Sequence, residues 1–245
     1  MGGSRYSGRD GVASLRRHRD SSLRCPGMAR LGALFDMDRT LVKKDTAGLY
    51  TRYRRDRGEV GLRDALRVSW WMVQYTLGVI DAPRVAVQAL EYFRGTEERA
   101  LIESCEGWFR DYVLPYVQPG GRAAVERHRE QGDLVAIVTG ATKYAAQPLA
   151  LELGIEEVVC TELELDAAGR FTGRPIDPLC YGPGKLERAR RLAERQGFEL
   201  AESTFYSDSI TDLPLLEAVR HPRIVNPDAR LRRVARQRGW PIEQW

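Results

Sequence analysis

The sequence predicts an α/β protein: a doubly wound parallel sheet interrupted by an inserted all-helical segment. Three observations carry that prediction. Short apolar runs at 31–35, 134–138, 204–206 and 223–225 have the length and two-sided apolar character of buried parallel strands. Helical patterns at 119–131, 142–153, 184–196 and 211–220 alternate with the later runs. Between the first run and Leu134, about ninety residues show helical periodicity and no convincing strand, which is too long for a crossover. That length suits a helical insert covering the carboxyl edge of the sheet.

In chain order, residues 1–27 are rich in Ser, Gly and Arg and lack an apolar period, so they predict a disordered basic leader. Arg16 and Arg17 do not make a twin-arginine signal, because no apolar stretch follows them. Met28 is an alternative natural start. Residues 28–44 and 120–245 are assigned to the core domain and 45–119 to the helical cap. Within the cap, the uncharged run 68–80 contains Trp70, Trp71 and Tyr75. It is shorter than the ~20 residues a membrane span requires, so no stable membrane insertion is expected. A buried cap helix is the leading reading, and an exposed apolar face for a partner or membrane surface is the alternative. Residues 158–185 break the alternation, with a hairpin predicted at 161–165 and 170–172 around Asp166 to Gly169. Asn226, Pro227 and Asp228 predict the N-terminus of a last helix, whose arginines suit a solvated face better than a nucleic-acid stripe.

Composition excludes several classes. With 43% hydrophobic residues the chain is not a disordered polymer, and a mean hydropathy of −0.42 argues against an integral membrane protein. The net charge of +4 resides in the leader, which holds six Arg and two Asp. The remaining chain has 32 basic and 32 acidic residues, so the folded part is neutral and no nucleic-acid partner is expected. Cys25, Cys105, Cys160 and Cys180 form no C-x-x-C pair, which speaks against a zinc site or a disulfide scaffold. Buried thiols in a reducing, cytoplasmic compartment are the expectation.

Four elements carry chemistry. Asp36 and Asp38 end the first strand, where ligands bind in open α/β sheets. Thr139 and Gly140 follow the strand 134–138, with a hydroxyl and backbone N–H groups suited to a phosphate oxygen. Lys185 opens a helix after Gly182, Pro183 and Gly184. Only four Lys stand against 34 Arg, so a compact point charge has been kept there. The stretch 207–212 places Asp208 at a strand end and Asp212 at a helix start. Each element alone has an ordinary explanation, such as a chance D-x-D, a loop hydroxyl or a helix cap. Four in order on one sheet edge are hard to obtain by accident.

The motifs Phe35-Asp-Met-Asp-Arg-Thr-Leu41 and Tyr206-Ser-Asp-Ser-Ile-Thr-Asp-Leu213 resemble the haloacid dehalogenase superfamily. The likeness is nearer its phosphoserine phosphatase-like branch, which has a Rossmann-like core and a helical cap. The resemblance covers about residues 31–227. It implies that Asp36 is the nucleophile forming an aspartyl-phosphate and that Asp38 is the general acid and then base. It further implies that Thr139, Gly140 and Lys185 bind phosphate, that Asp36, Asp38 and Asp208 hold Mg²⁺, and that Asp212 supports them. The implied activity is Mg²⁺-dependent hydrolysis of a small soluble phosphate ester. Three departures set phosphoserine itself as an alternative. Asp45 stands where a Glu usually meets the substrate amine, making it the candidate specificity residue. Neither Arg84 nor Arg94 fits the cap arginine by spacing, and the metal loop carries Ser and Thr in place of Gly and Asn. Dehalogenation needs neither Asp38 nor Asp208. A partner-binding module without catalysis would not need the full set. His128 and Asp133 fit the acyltransferase spacing H-x₄-D, but Gly132 there reads as a helix C-cap.

Overall fold

The computed structural model describes residues 31–61 and 90–245. The leader 1–27, Met28, the apolar run 68–80 and Arg84 lie outside the described residues.

Strand β1 (Gly32–Phe35) buries all four of its residues. Its side chains alternate between two apolar clusters: Ala33 and Phe35 join one, Leu34 the other. In β2 (Leu134–Thr142), Val135 and Ile137 share the cluster of Phe35, while Leu134, Ala136 and Val138 share that of Leu34. A period of two with both faces apolar marks a strand covered on each side. The first face receives α3 (Pro119–Gln131) through Ala124 and Val125 and α4 (Lys143–Leu153) through Leu149 and Ala150. The second receives α5 (Pro183–Gln196), α6 (Leu213–Ala218) and α7 (Ala229–Arg238) through Leu192, Leu215 and Leu231. The chain is doubly wound.

Among the described residues the sheet has the order β4-β3-β2-β1-β5-β6-β7. Strands β5 (Thr204–Ser207) and β6 (His221–Val225) occupy the third and fourth predicted runs, and β5 and β2 flank β1 in parallel. The hairpin differs from its predicted form. Strand β3 (Glu157–Leu165) begins four residues earlier, pairs parallel with β2 and then antiparallel with β4 (Phe171–Ile176). One strand therefore belongs to both the parallel sheet and the hairpin. The two-residue β7 (Ile242–Glu243) was not predicted; it adds to β6 after the last helix. The helix expected at 211–220 is shorter, since Ile210–Asp212 is a 3₁₀ turn before α6.

The cap contributes α1 (Thr46–Asp56) and α2 (Glu98–Trp108) to the described residues, followed by a π-helical turn Phe109–Val113 and a 3₁₀ turn Leu114–Tyr116. Trp108, Tyr53 and Leu49 pack with Leu101 and Cys105 in the same cluster as Phe35. The two connections to the core are zipped together, with the Lys43 N–H donating to the Tyr116 carbonyl at 2.8 Å and Gln118 N–H to Leu41 at 2.9 Å. A third attachment runs along the hairpin. Gly95 N–H donates to the Phe171 carbonyl at 2.8 Å, Phe171 N–H to Thr96 at 3.0 Å and Glu98 N–H to Gly169 at 3.1 Å. Glu98 also accepts from Tyr144 at 2.7 Å and pairs with Lys143 at 2.8 Å on α4.

Candidate active site

The parallel strands place their carboxyl ends side by side. The Asp36 N–H donates to the Tyr206 carbonyl at 2.9 Å, so the chain leaves β1 and β5 at one level. Asp36 follows β1 and Asp208 follows β5 by one residue, and they are 6% and 5% exposed. Lys185 enters from the first turn of α5. That turn needs Gly184, because a Cβ there would lie 2.1 Å from the Leu179 carbonyl oxygen.

The Lys185 ammonium donates to Asp36 Oδ1 and to Asp212 Oδ2, both at 2.8 Å. Asp212 also accepts from the Ser207 hydroxyl at 2.7 Å, and Ser207 in turn accepts the Ser209 N–H at 3.2 Å. Although Asp212 stands at the head of α6, its carboxylate makes no capping bond and is committed to the lysine. Ser207 was missed as a site residue, although it directly precedes Asp208 in the motif. Asp38 Oδ1 accepts the Thr46 N–H at 2.8 Å, tying it to the start of α1. Asp45 is the N-cap of that helix and accepts from Gly48 N–H at 3.1 Å. Thr139 is buried, and its hydroxyl accepts the Ala141 N–H at 3.1 Å. Thr139 and Gly140 do not sit past a strand end as expected. Strand β2 continues through a register shift to Thr142, and α4 starts directly after it. Arg94 is exposed and paired with Glu91, so it holds nothing at this site. The decoy pair also lies elsewhere: His128 Nδ1 meets Asp133 at 2.7 Å and Nε2 meets the Tyr206 hydroxyl at 3.0 Å. Gly132 is the left-handed C-cap of α3, with φ 77°.

Asp36, Asp38, Asp208 and Asp212 share this region with Lys185, and burial is the largest influence on the first three. Burial pushes the Asp36 carboxyl up to about 6; Lys185 pulls the other way and Asp212 adds to the rise. Burial, then the charges of Asp45 and Asp36, push Asp38 up to about 8. Asp208 is held well above the ordinary range by burial and by Asp36 and Asp212. For Lys185 burial opposes the charge, but Asp212 and Asp36 outweigh it and raise its pKa.

A hard divalent cation fits this donor set. Asp208 is buried, carries like-charge repulsion from Asp36, and has no hydrogen-bond donor on its side chain among the described residues. Carboxylate oxygens in that condition suit Mg²⁺. The three-aspartate set expected from sequence is not gathered: no three His, Cys, Asp or Glu among the described residues converge as a ready metal cluster. Asp38 is turned to Thr46, which leaves Asp36 and Asp208 as the pair that a cation would join.

Paired aspartates ending the first strand of a doubly wound sheet, with a buried lysine beside them and helices inserted between the first two strands, define a class of hydrolases. The haloacid dehalogenase-like hydrolase family model matches residues 33–217, and the chain belongs to that superfamily, in its phosphoserine phosphatase-like branch. It is an enzyme of the phosphatase type. The chain is 29% identical to a histidinol-phosphatase of Neisseria meningitidis over 214 residues, covering 86% of this chain and 96% of that one. It is 32% identical to phosphoserine phosphatase SerB1 of Mycobacterium tuberculosis over 217 residues, covering 87% and 70%. Among solved structures, a protein of unknown function from Bordetella pertussis Tohama I has a TM-score of 0.80 at 32% identity, covering 88% of this chain and 98% of that one. Among the described residues no helix is long and apolar enough to cross a membrane.

Proposed function

We propose that this protein is a phosphomonoesterase acting on a small soluble phosphate ester in the cytoplasm, with Asp36 as nucleophile and Asp38 as acid and base. The core 28–44 and 120–245 would carry the chemistry and the cap 45–119 the choice of ester. The observation that carries this reading is geometric: the Lys185 ammonium meets Asp36 Oδ1 at 2.8 Å, whereas Asp38, two residues on, accepts the Thr46 N–H at 2.8 Å. Lys185 opposes the rise that burial imposes on Asp36, while burial and the charges of Asp45 and Asp36 all favour a protonated Asp38, which suits a nucleophile beside an acid.

Asp36 attacks phosphorus and the ester oxygen leaves, taking the Asp38 proton. The resulting Asp38 carboxylate then removes a proton from water, which attacks the aspartyl-phosphate and releases inorganic phosphate with Asp36 restored. Lys185 spends two of its three N–H donors on Asp36 and Asp212, and the third is left for a phosphate oxygen. Thr139 and the Gly140 N–H are assigned to the remaining phosphate oxygens. Asp36 and Asp208 would hold Mg²⁺, which would supply the counter-charge a carboxylate needs to approach a phosphate dianion.

The relatives from Neisseria and Mycobacterium are named for two different esters, so the shared property is the phosphomonoester and not its alcohol. One oxygen of Asp45 is spent on capping α1, which argues against a dedicated amine ligand and against phosphoserine as the substrate. A panel of phosphomonoesters assayed with and without Mg²⁺ tests the reading. Release of phosphate from one or more small esters, abolished by chelator and by Asp36→Asn, is expected. No turnover of any ester, or turnover that survives Asp36→Asn, overturns it.

A further inference from the structure

Two non-glycine residues among those described have left-handed backbone, Arg39 with φ 57° and Asn226 with φ 45°. That conformation is costly for Arg, and it recurs where surrounding contacts over-determine it. Arg39 lies between Asp38 and Thr40, and its carbonyl accepts from Asn226 Nδ2 at 3.4 Å and from Gln118 Nε2 at 3.3 Å. Gln118 Nε2 also donates to the Thr40 carbonyl at 2.5 Å, and its Oε1 accepts from Asn226 Nδ2 at 3.3 Å. Asn226 Oδ1 accepts the Trp245 N–H at 3.1 Å, which fixes the amide's orientation. Two residues on, the Asp228 N–H donates to the Asp208 carbonyl at 2.9 Å, and Asp228 Oδ2 accepts the Ile210 N–H at 2.8 Å. The other carboxylate oxygen, Oδ1, caps α7 through Arg230 and Leu231 N–H, each at 2.8 Å. Pro227 between them removes a backbone freedom.

We propose that Asn226 and Asp228 are positioning residues that tie the loop carrying Asp36 and Asp38 to the loop carrying Asp208, and so set the separation a divalent cation must bridge. Neither touches the reacting atoms. One residue holds the Arg39 peptide and the other the Asp208 and Ile210 peptides, from a single turn after β6. The proposal rests on the phosphatase reading only for the identity of the cation. Partners of this kind, one step behind metal-binding carboxylates, typically change affinity or activity 10- to 100-fold when removed.

Asp228→Ser removes the side-chain part of the brace, the bond to Ile210, and keeps both the cap and the Asp228 N–H bond to Asp208, because Ser caps helices well but is too short to reach Ile210 as well. The expected result is Mg²⁺ affinity, measured by calorimetric titration of the substrate-free protein, weakened at least about tenfold. kcat should fall alongside with KM little changed, while the melting temperature stays near the parent's. Asn226→Asp keeps the Trp245 contact and loses the donor to Arg39, and should weaken Mg²⁺ in the same way. Asp228→Asn, with a single oxygen to divide between the two tasks, should lie between parent and Ser variant. Parental Mg²⁺ affinity and kcat in Asp228→Ser and Asn226→Asp, whatever the melting temperature does, overturns the proposal. A parent that binds Mg²⁺ but hydrolyses no phosphate ester contradicts the function and leaves the brace measurable by titration. If Asp228→Ser does not fold, Asn226→Asp decides.

Discussion

Lys185→Ala would leave Asp36 and Asp212 facing one another without the cation that now joins them at 2.8 Å. Loss of a buried electrostatic stabiliser should lower kcat/KM by roughly 10²-fold or more. Lys185→Arg keeps the charge but forces a planar fork into a pocket built for a side chain only 3% exposed, so it should be damaging too. Full activity in that variant would show that any cation suffices. The two carboxyls should part company in a rapid acid quench with labelled p-nitrophenyl phosphate. Asp36→Asn should trap nothing, whereas Asp38→Asn should accumulate label on the peptide containing Asp36, because a good leaving group needs little acid and breakdown still needs a base. Label on any other residue would identify a different nucleophile. Asp38 also predicts a pH dependence. Its carboxyl holds a proton up to about 8 in the fold against 3.8 ordinarily, so the folded chain binds more protons across that window and stability falls as pH rises through it. In chelator, the melting temperature of Asp38→Asn should therefore drop less between pH 5 and 8 than the parent's. Equal drops would place the titration elsewhere.

At the scale of elements, the turn into α5 is the least forgiving. Gly184→Ala places a methyl 2.1 Å from the Leu179 carbonyl oxygen, a backbone atom that has little room to move. It should cost roughly 1–3 kcal/mol in denaturant unfolding and lower activity by shifting Lys185, which is the next residue. An unchanged unfolding midpoint would mean that the loop yields. The strands β1, β5 and the first half of β2 were legible because apolar runs of that kind have few other uses. Strand β3 was half legible. Its second half shows hairpin alternation, but its first half, with Glu157, Val158 and Val159, gains strand character only from pairing with β2. Strand β7 has two residues, too few to leave any periodic signal, and exists because Ile242 and Glu243 lie beside Ile224 and Val225.

For the whole molecule, the acid excess around Lys185 predicts linkage between cation, proton and fold. A Mg²⁺ ion held by Asp36 and Asp208 would compete with their protons, since both carboxyls are held above their ordinary values. The rise in melting temperature on adding Mg²⁺ should therefore be larger at pH 8 than at pH 6, and should shrink in Asp208→Asn. A rise independent of pH would argue that the ion binds away from these carboxyls. The cap's third attachment through Gly95, Thr96 and Glu98 also belongs to this scale, since nothing local in those residues marks them as partners of the hairpin.

The sequence by itself determined the doubly wound order, the helical insert and the positions of the candidate aspartates and lysine. Those follow from local period, strand ends and rare residue types, which survive without knowing what touches what. Only the tertiary structure decided the rest. It spent Asp212 on Lys185 instead of capping a helix, gave Asp45 a capping bond, and turned Asp38 toward Thr46. It also joined Arg39 to Asn226 across 187 positions of chain. These depend on burial and on contacts between segments far apart in sequence, where a carboxylate's role is set by its neighbours and not by its place in a motif.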